Sequence, residues 1–227
     1  MNLRYRLWCW RKFFAEPEIR IAAHLARNGS RCLDIGANAG AYSYFMRRAG
    51  AEVHAFEPIA PLVADLRRRF GSSITIHPLA VSDLAGTVDI RAPLIQGKPA
   101  YGLASIEQAW EPNKVISHRV EMRTIDSFAF DNVSLIKIDI EGHEAAALRG
   151  AAATIARCRP ALIIEAEERH PPGAVAAVWD QLRTLNYRGT FICRGKTQDI
   201  TSFTPARHQR AFGDADYVFN FLFVPAN

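Results

Sequence analysis

The stretch RCLDIGANAGAYSYFMRRAGAEVHAF, residues 31–56, decides the fold. RCLDI is a short, mostly apolar run between the turn residues Asn28-Gly29-Ser30 and Gly36, which is how a buried strand reads. Gly36 to Gly40 forms a glycine-rich turn, and residues 41–48 have the pattern of a helix that Gly50 ends. EVHAF is a second strand, stopped by Glu57-Pro58. Strand, helix and strand at this spacing predict two parallel strands of one sheet, with the helix packed on a face.

The alternation continues outward. Residues 60–70 read as a helix and 73–78 as a third strand. Residues 83–126 break the pattern: 86–91 and 118–124 read as strands, and the turn-rich stretch between them predicts an excursion that returns to the sheet. The pattern resumes with a strand over 135–140, a helix over 144–157, a strand over 161–165, a helix over 173–185 and strands over 188–193 and 217–224. This predicts an α/β fold with seven sheet strands. Upstream, residues 3–14 fit an amphipathic helix with the apolar stripe Leu3, Leu7, Trp10 and Phe14, and Glu16-Pro17-Glu18 opens a second helix. The expected organisation is a basic arm over 1–15 and a single domain over 16–227, with the excursion at 84–126.

The composition agrees with this. At 227 residues, 49% hydrophobic and 22% charged, the chain can bury a full core as one domain. The formal charge is +5, but residues 1–15 hold Arg4, Arg6, Arg11 and Lys12 and no acid, so the body is nearly neutral. A nucleic-acid-binding core would spread Lys and Arg over a face, and none is expected here. Cys9, Cys32, Cys158 and Cys193 form no C-x-x-C pair, which argues against a zinc ribbon or disulfide scaffold and for reduced thiols in the cytoplasm. The longest charge-free runs are about a dozen residues, short of the ~20 that span a membrane. Charges also interrupt MNLRYRLWCWRKFF, so a secretory signal is not expected.

Chemistry enters at DIGANAGAYS, residues 34–43. Glycines let backbone N–H groups approach a ligand, and the following helix N-terminus favours an anion. Glu57, 21 residues after Gly36, ends the next strand, where an acid accepts hydrogen bonds from ribose hydroxyls. Two cofactors suit this skeleton. A nicotinamide dinucleotide wants glycine where this turn has Asn38. S-adenosylmethionine has a smaller carboxylate, and its cationic centres suit Asp34. A second cluster, KIDIEGHE (137–144), places Asp139, Glu141, His143 and Glu144 where a strand gives way to a helix, the edge at which open α/β sheets bind ligands.

DIGANAGAYS, AFEP (55–58), PLAVSD (78–83), TIDSF (124–128), SLIKIDIEGHE (134–144) and LIIE (162–165) together resemble, in order, the FkbM family of S-adenosylmethionine-dependent methyltransferases. The match spans most of residues 16–165. The last 60 residues follow the family only in general pattern, and the arm lies outside the shared motifs.

The resemblance implies the Rossmann-like class I methyltransferase fold: a mostly parallel sheet in the order 3-2-1-4-5-7-6, helices on both faces, and strand 7 antiparallel. It implies that Asp34, Gly36, Asn38, Gly40 and Ser43 hold the methionine part of the cofactor. Glu57 would bind the ribose, Ile59 would pack on adenine, and Ala80, Val81, Ser82 and Asp83 would lie along the adenine edge. Family members methylate hydroxyls of sugars, glycolipids and natural products, so the expected partner is a small-molecule, glycan or glycolipid acceptor. A hydroxyl acceptor must lose a proton, and His143 is the first candidate base, then Asp139 and Glu141, with Glu165 and His170 after the fifth strand. Asp139, Glu141 and Glu165 could also offer oxygen ligands to a divalent ion, although polar recognition explains them equally well. Tyr101 and Trp110 in the excursion are expected to cover the acceptor. A nicotinamide-dependent oxidoreductase and a non-catalytic cofactor-binding partner subunit remain as alternatives. For the arm, docking of its stripe on the domain or on a second subunit of a homodimer is weighed against peripheral contact of residues 1–14 with an anionic membrane.

Overall fold

The computed structural model describes residues 1–108, 111–169 and 172–226; Trp110 and His170 lie outside them. In chain order the strands are β1 (Arg31–Ile35), β2 (Glu52–Phe56), β3 (Thr75–His77), β4 (Ala80–Val81), β5 (Gly86–Ile95), β6 (Lys98–Pro99), β7 (Val115–Arg123), β8 (Val133–Ile138), β9 (Ala161–Glu165), β10 (Tyr187–Cys193), β11 (Lys196–Asp199) and β12 (Asn220–Pro225). The α-helices are α1 (Leu3–Ala15), α2 (Pro17–Leu25), α3 (Ala41–Arg48), α4 (Ala60–Phe70), α5 (Glu144–Arg149), α6 (Ala152–Cys158), α7 (Ala174–Thr184) and α8 (Pro205–His208).

The main sheet has the order β11-β10-β12-β9-β8-β1-β2-β3. Its seven expected strands stand in the expected order, and β12 runs antiparallel between β9 and β10. The sequence reading missed an eighth, β11, which forms a hairpin with β10 at the edge. β11 is KTQD, polar and largely exposed, and has no apolar face to announce it.

The excursion departs further from expectation. Its strands pair with one another in a separate sheet, β4-β7-β5-β6, and do not return to the main one. β5 and β7 are long enough to satisfy each other's backbone groups along an antiparallel ladder from Gly86–Met122 to Pro93–Val115. The helix expected over 144–157 is likewise two helices. The break falls at Gly150 and Ala151, and a Cβ on Gly150 would lie 1.9 Å from the Ser82 carbonyl oxygen, so the close approach requires glycine. Asp126 then restarts the helix by accepting the N–H groups of Ala153 and Thr154 at 2.9 and 2.8 Å.

Parity along the strands decides which face each side chain takes. Leu33, Ile35, Ile136, Ile138, Leu162 and Ile164 enter the core under α5–α7. Cys32, Leu135 and Ile163 enter the core under α1–α4, and Asp34, Lys137 and Glu165 share their parity. The register then aligns the strand ends: Ile35 pairs with Phe56 and with Ile138, and Ile138 with Ile164.

The arm forms α1 and docks on the domain, but of the expected stripe only Trp10 takes part, its ring 5.3 Å from that of Phe45. Tyr5 and Cys9 are buried against the domain, and Phe13 stacks near Phe45 with ring centroids 4.6 Å apart. Leu3, Leu7 and Phe14 point outward and are exposed. Tyr5 settles the orientation, because its hydroxyl lies 2.7 Å from the Ala39 carbonyl and 3.0 Å from that of Gly40, an attachment that an apolar stripe could not make. Among the described residues, no helix is long and apolar enough to cross a membrane.

Candidate active site

One residue beyond the row Ile35, Phe56, Ile138 and Ile164 stand Gly36, Glu57, Asp139 and Glu165, so the register itself assembles the site. The ladder continues into it: Gly36 N–H donates to Phe56 O and Asp139 N–H to Ile35 O, both at 3.0 Å. Gly36 is required twice over. Its φ is +80°, and a Cβ would lie 1.8 Å from the Asp139 carbonyl oxygen.

A cavity of about 640 Å³, its open mouth included, lies at this edge. Of the residues expected to hold the cofactor or act in catalysis, Gly36, Asn38, Glu57, Ile59, Ala80, Val81, Asp139 and Glu141 line it. The excursion contributes Ile90, Tyr101, Ala104 and Ile106 to the wall beside Ile59 and Ala80. It therefore covers the side expected for adenosine, where the sequence reading placed it over the acceptor. Ile90, Ala104 and Ile106 carried no sequence signal, since their convergence depends on the second sheet.

Glu57 is the best-defined group in the cavity. It is buried, and its two oxygens accept the backbone N–H groups of Asn38 at 2.9 Å and Ile59 at 3.0 Å. Burial pushes its carboxyl up to about 7, outweighing the two donors that favour the charged form. Each oxygen keeps a lone pair for a further donor, which suits a vicinal pair of hydroxyls.

The other expected residues stand outside the cavity lining. Asp34 takes the opposite face of β1, where its Oδ2 accepts Ser43 N–H at 2.9 Å and Ser43 Oγ–H at 2.5 Å. The pair braces the start of α3 behind the turn, and Gly40 is the left-handed N-cap of that helix. Ser82 and Asp83 tie β4 to α5: the Arg149 guanidinium beside Asp83 holds its carboxyl below the usual range, and Ser82 Oγ lies 2.9 Å from His143 Nε2. His143 Nδ1 lies 2.6 Å from Glu107 Oε1, so both ring nitrogens are engaged away from the cavity. Glu144 holds the loop before α5, accepting N–H groups from Gly142 at 2.9 Å and Ile140 at 3.3 Å.

Beside Asp139, on the face of the sheet that carries Lys137 and Glu165, lies a buried polar cluster. Carboxylate oxygens of Asp139, Glu141 and Glu165 come within 4.8 Å of one another and could ligate a divalent cation. Lys137 already brings a positive charge there, its Nζ 3.6 Å from Asp139 Oδ2. Burial disfavours the Lys137 ammonium, but Asp139, Glu165, Asp34 and Glu16 outweigh it and raise its pKa. Burial, then the charge of Asp139, raises that of Glu165 well above the carboxylate range. The Tyr42 ring lies under Lys137, 5.1 Å from Nζ, and its buried hydroxyl has no hydrogen-bond partner among the described residues. Asn220, opposite Glu165 in register, likewise has a buried, unpartnered Oδ1. Sequence reasoning missed Tyr42, Lys137 and Asn220. Only Lys137 left a trace, as a lone cation inside the apolar run LIKI.

A family model for the methyltransferase FkbM domain matches residues 34–188. The chain belongs to the FkbM methyltransferase family. Its cofactor is S-adenosylmethionine, and the nicotinamide alternative falls away. The residues present fit that cofactor: a glycine turn without room for a Cβ at Gly36, and a buried acid with spare lone pairs at Glu57. Among solved structures, the chain resembles a methyltransferase FkbM from Methylobacillus flagellatus KT at 21% identity and TM-score 0.56, covering 86% of this chain and 43% of that one. It also resembles a precorrin-6y C5,15-methyltransferase from Geobacter metallireducens GS-15 at 11% identity and TM-score 0.50, covering 91% and 87%. A third likeness is to a Streptococcus mutans protein in complex with SAH, at 9% identity and TM-score 0.52, covering 93% and 97%. These likenesses speak for the fold, and the chain spans less than half the length of the Methylobacillus FkbM protein. A search of curated proteins finds no match.

Proposed function

We propose that this FkbM chain transfers a methyl group from S-adenosylmethionine to a hydroxyl of a polar small molecule: a sugar, a glycan or glycolipid, or a natural product. The observation that carries this reading is Glu165, an acid whose proton affinity is raised, set beside the unpartnered Tyr42 hydroxyl and Asn220 Oδ1. Buried polar groups without partners are costly, and a hydroxyl-bearing acceptor would satisfy them.

Bound in the cavity, the cofactor supplies a methyl group on a sulfonium. The chain supplies alignment, which can contribute up to ~7–11 kcal/mol of a barrier. Glu57, Gly36 and Asn38 hold the donor side, and the excursion excludes water. Glu165, once ionised, accepts the proton that the acceptor hydroxyl sheds. The engaged ring of His143 makes it the weaker choice of base. Methyl-tritiated cofactor, incubated with extracted glycans, lipids, metabolites, proteins and nucleic acids, tests the reading. Label is expected in a glycan, lipid or metabolite fraction. Label only in protein or nucleic acid overturns the hydroxyl assignment, and binding of S-adenosylhomocysteine without any transfer returns the non-catalytic alternative.

A further inference from the structure

α1 has two apolar faces, and the domain uses one. Tyr5 and Cys9 are buried. Leu3, Leu7 and Phe14, 68%, 55% and 72% exposed, stand on the opposite face and join neither adjoining core. Single exposed leucines are ordinary, but these three align in a stripe roughly 16 Å long at helical rise. Exposed Arg4 and Arg11 flank the stripe. Residues 1–15 contain no acid, and Arg4, Arg6 and Arg11 form no ion pair among the described residues. The exposed Arg47 and Arg48 end α3, and Arg67 and Arg68 lie in the last turn of α4. Beside the first turn of α1, Arg4, Arg68 and Arg69 line an open groove with Trp8, and Asp65 pairs with Arg68 and Arg69.

We infer that α1 lies in the plane of an anionic lipid bilayer, with Leu3, Leu7 and Phe14 among the acyl chains and the arginines at the level of the phosphates. A second copy of this chain fits the face poorly. Pairing α1 with itself brings two acid-free cationic helices together, and like charges across an interface oppose association. An anionic surface accepts both the stripe and the charge. Docking also reaches the cofactor turn, because Tyr5 on the inner face touches the carbonyls of Ala39 and Gly40.

Sedimentation of the full chain with vesicles tests this inference independently of methyl transfer. Partition into vesicles of about 30% phosphatidylglycerol in phosphatidylcholine is expected to exceed that into phosphatidylcholine alone by roughly tenfold or more, and to fall with added salt. Leu3→Gln with Leu7→Gln should reduce it about tenfold or more, and Arg4→Gln with Arg11→Gln should do the same. Circular dichroism and S-adenosylhomocysteine affinity should remain at wild-type values in both. No binding of the wild type to anionic vesicles, or wild-type binding by the folded variants, overturns the inference. So does a wild-type dimer in analytical ultracentrifugation that Leu3→Gln with Leu7→Gln dissolves, which assigns the stripe to a second copy.

Discussion

Glu57 Oε2 accepts the backbone N–H of Asn38 at 2.9 Å, tying the end of β2 to the turn after β1. Burial of this carboxyl makes cofactor affinity depend on pH. Burial raises the Glu57 carboxyl from 4.5 to about 7, so the folded chain holds this proton more tightly than the unfolded one. The stability it contributes is complete below its unfolded value and is lost as pH rises through about 7, by at most ~3 kcal/mol. Ribose hydroxyls donate to the ionised form. Calorimetry in buffers of different ionisation heat should therefore show proton release on binding S-adenosylhomocysteine near neutral pH, and affinity should rise from pH 6 to 8. Glu57→Gln should abolish the release and weaken binding by roughly tenfold or more. Unchanged binding removes Glu57 from the site.

Glu165→Gln and His143→Ala separate the two candidate bases. The first keeps the shape of the side chain but cannot take a proton, so kcat should fall ~10²–10⁴-fold with little change in cofactor affinity. The second loses the contacts to Ser82 and Glu107, costing about 1–2 kcal/mol in chemical denaturation but much less in kcat. The reverse ranking moves the proton to His143.

Tyr42→Phe removes a buried hydroxyl that has no partner in this structure. Deleting an unsatisfied group is neutral or slightly stabilising, so Tm should hold or rise. KM for the acceptor should rise several-fold, about 1 kcal/mol in binding. A drop in Tm with an unchanged KM shows that the hydroxyl serves the fold instead.

Gly36→Ala places a Cβ 1.8 Å from the Asp139 carbonyl oxygen at a φ of +80°. We expect a loss of roughly 3 kcal/mol or more, read as a fall in Tm together with loss of S-adenosylhomocysteine binding. Gly97→Ala is the control. It has the same sign of φ but open space, and should cost only ~1 kcal/mol.

Tyr5→Phe removes the hydroxyl that meets Ala39 O and Gly40 O. Stability should fall by about 1 kcal/mol, with a few-fold loss of cofactor affinity through the loosened turn. Equal affinity in variant and wild type limits α1 to a stabilising role.

The legible parts of this protein are those written in local pattern. RCLDI, the glycine turn and EVHAF announced β1, α3 and β2, and Glu57 stood out because an acid at that strand end has a chemical reason to be there. Relations between distant segments were not legible. The Ser82 carbonyl that packs against Gly150 lies just past β4, far off in sequence. The polar cluster around Glu165 draws Tyr42 from α3, Lys137 from β8 and Asn220 from β12, and nothing in the spacing of DIGANAGAYS distinguishes Tyr42 from its neighbours. The most regular apolar stripe of the arm does not mark its buried face: Tyr5 and Cys9 make the attachment, and of the stripe only Trp10 joins them.

The alignment of Ile35, Phe56, Ile138 and Ile164 has a consequence for how such a chain can change. One residue inserted within β8 would carry Asp139 about 3.3 Å along the strand and turn it to the other side of the sheet. Residues inserted after Glu165 would leave Gly36 and Glu57 where they are. Lineages descended from such a chain can thus lengthen or exchange the segments beyond β9 to accept new molecules while inheriting the donor seat intact. Any indel inside the four central strands would dismantle that seat in a single step.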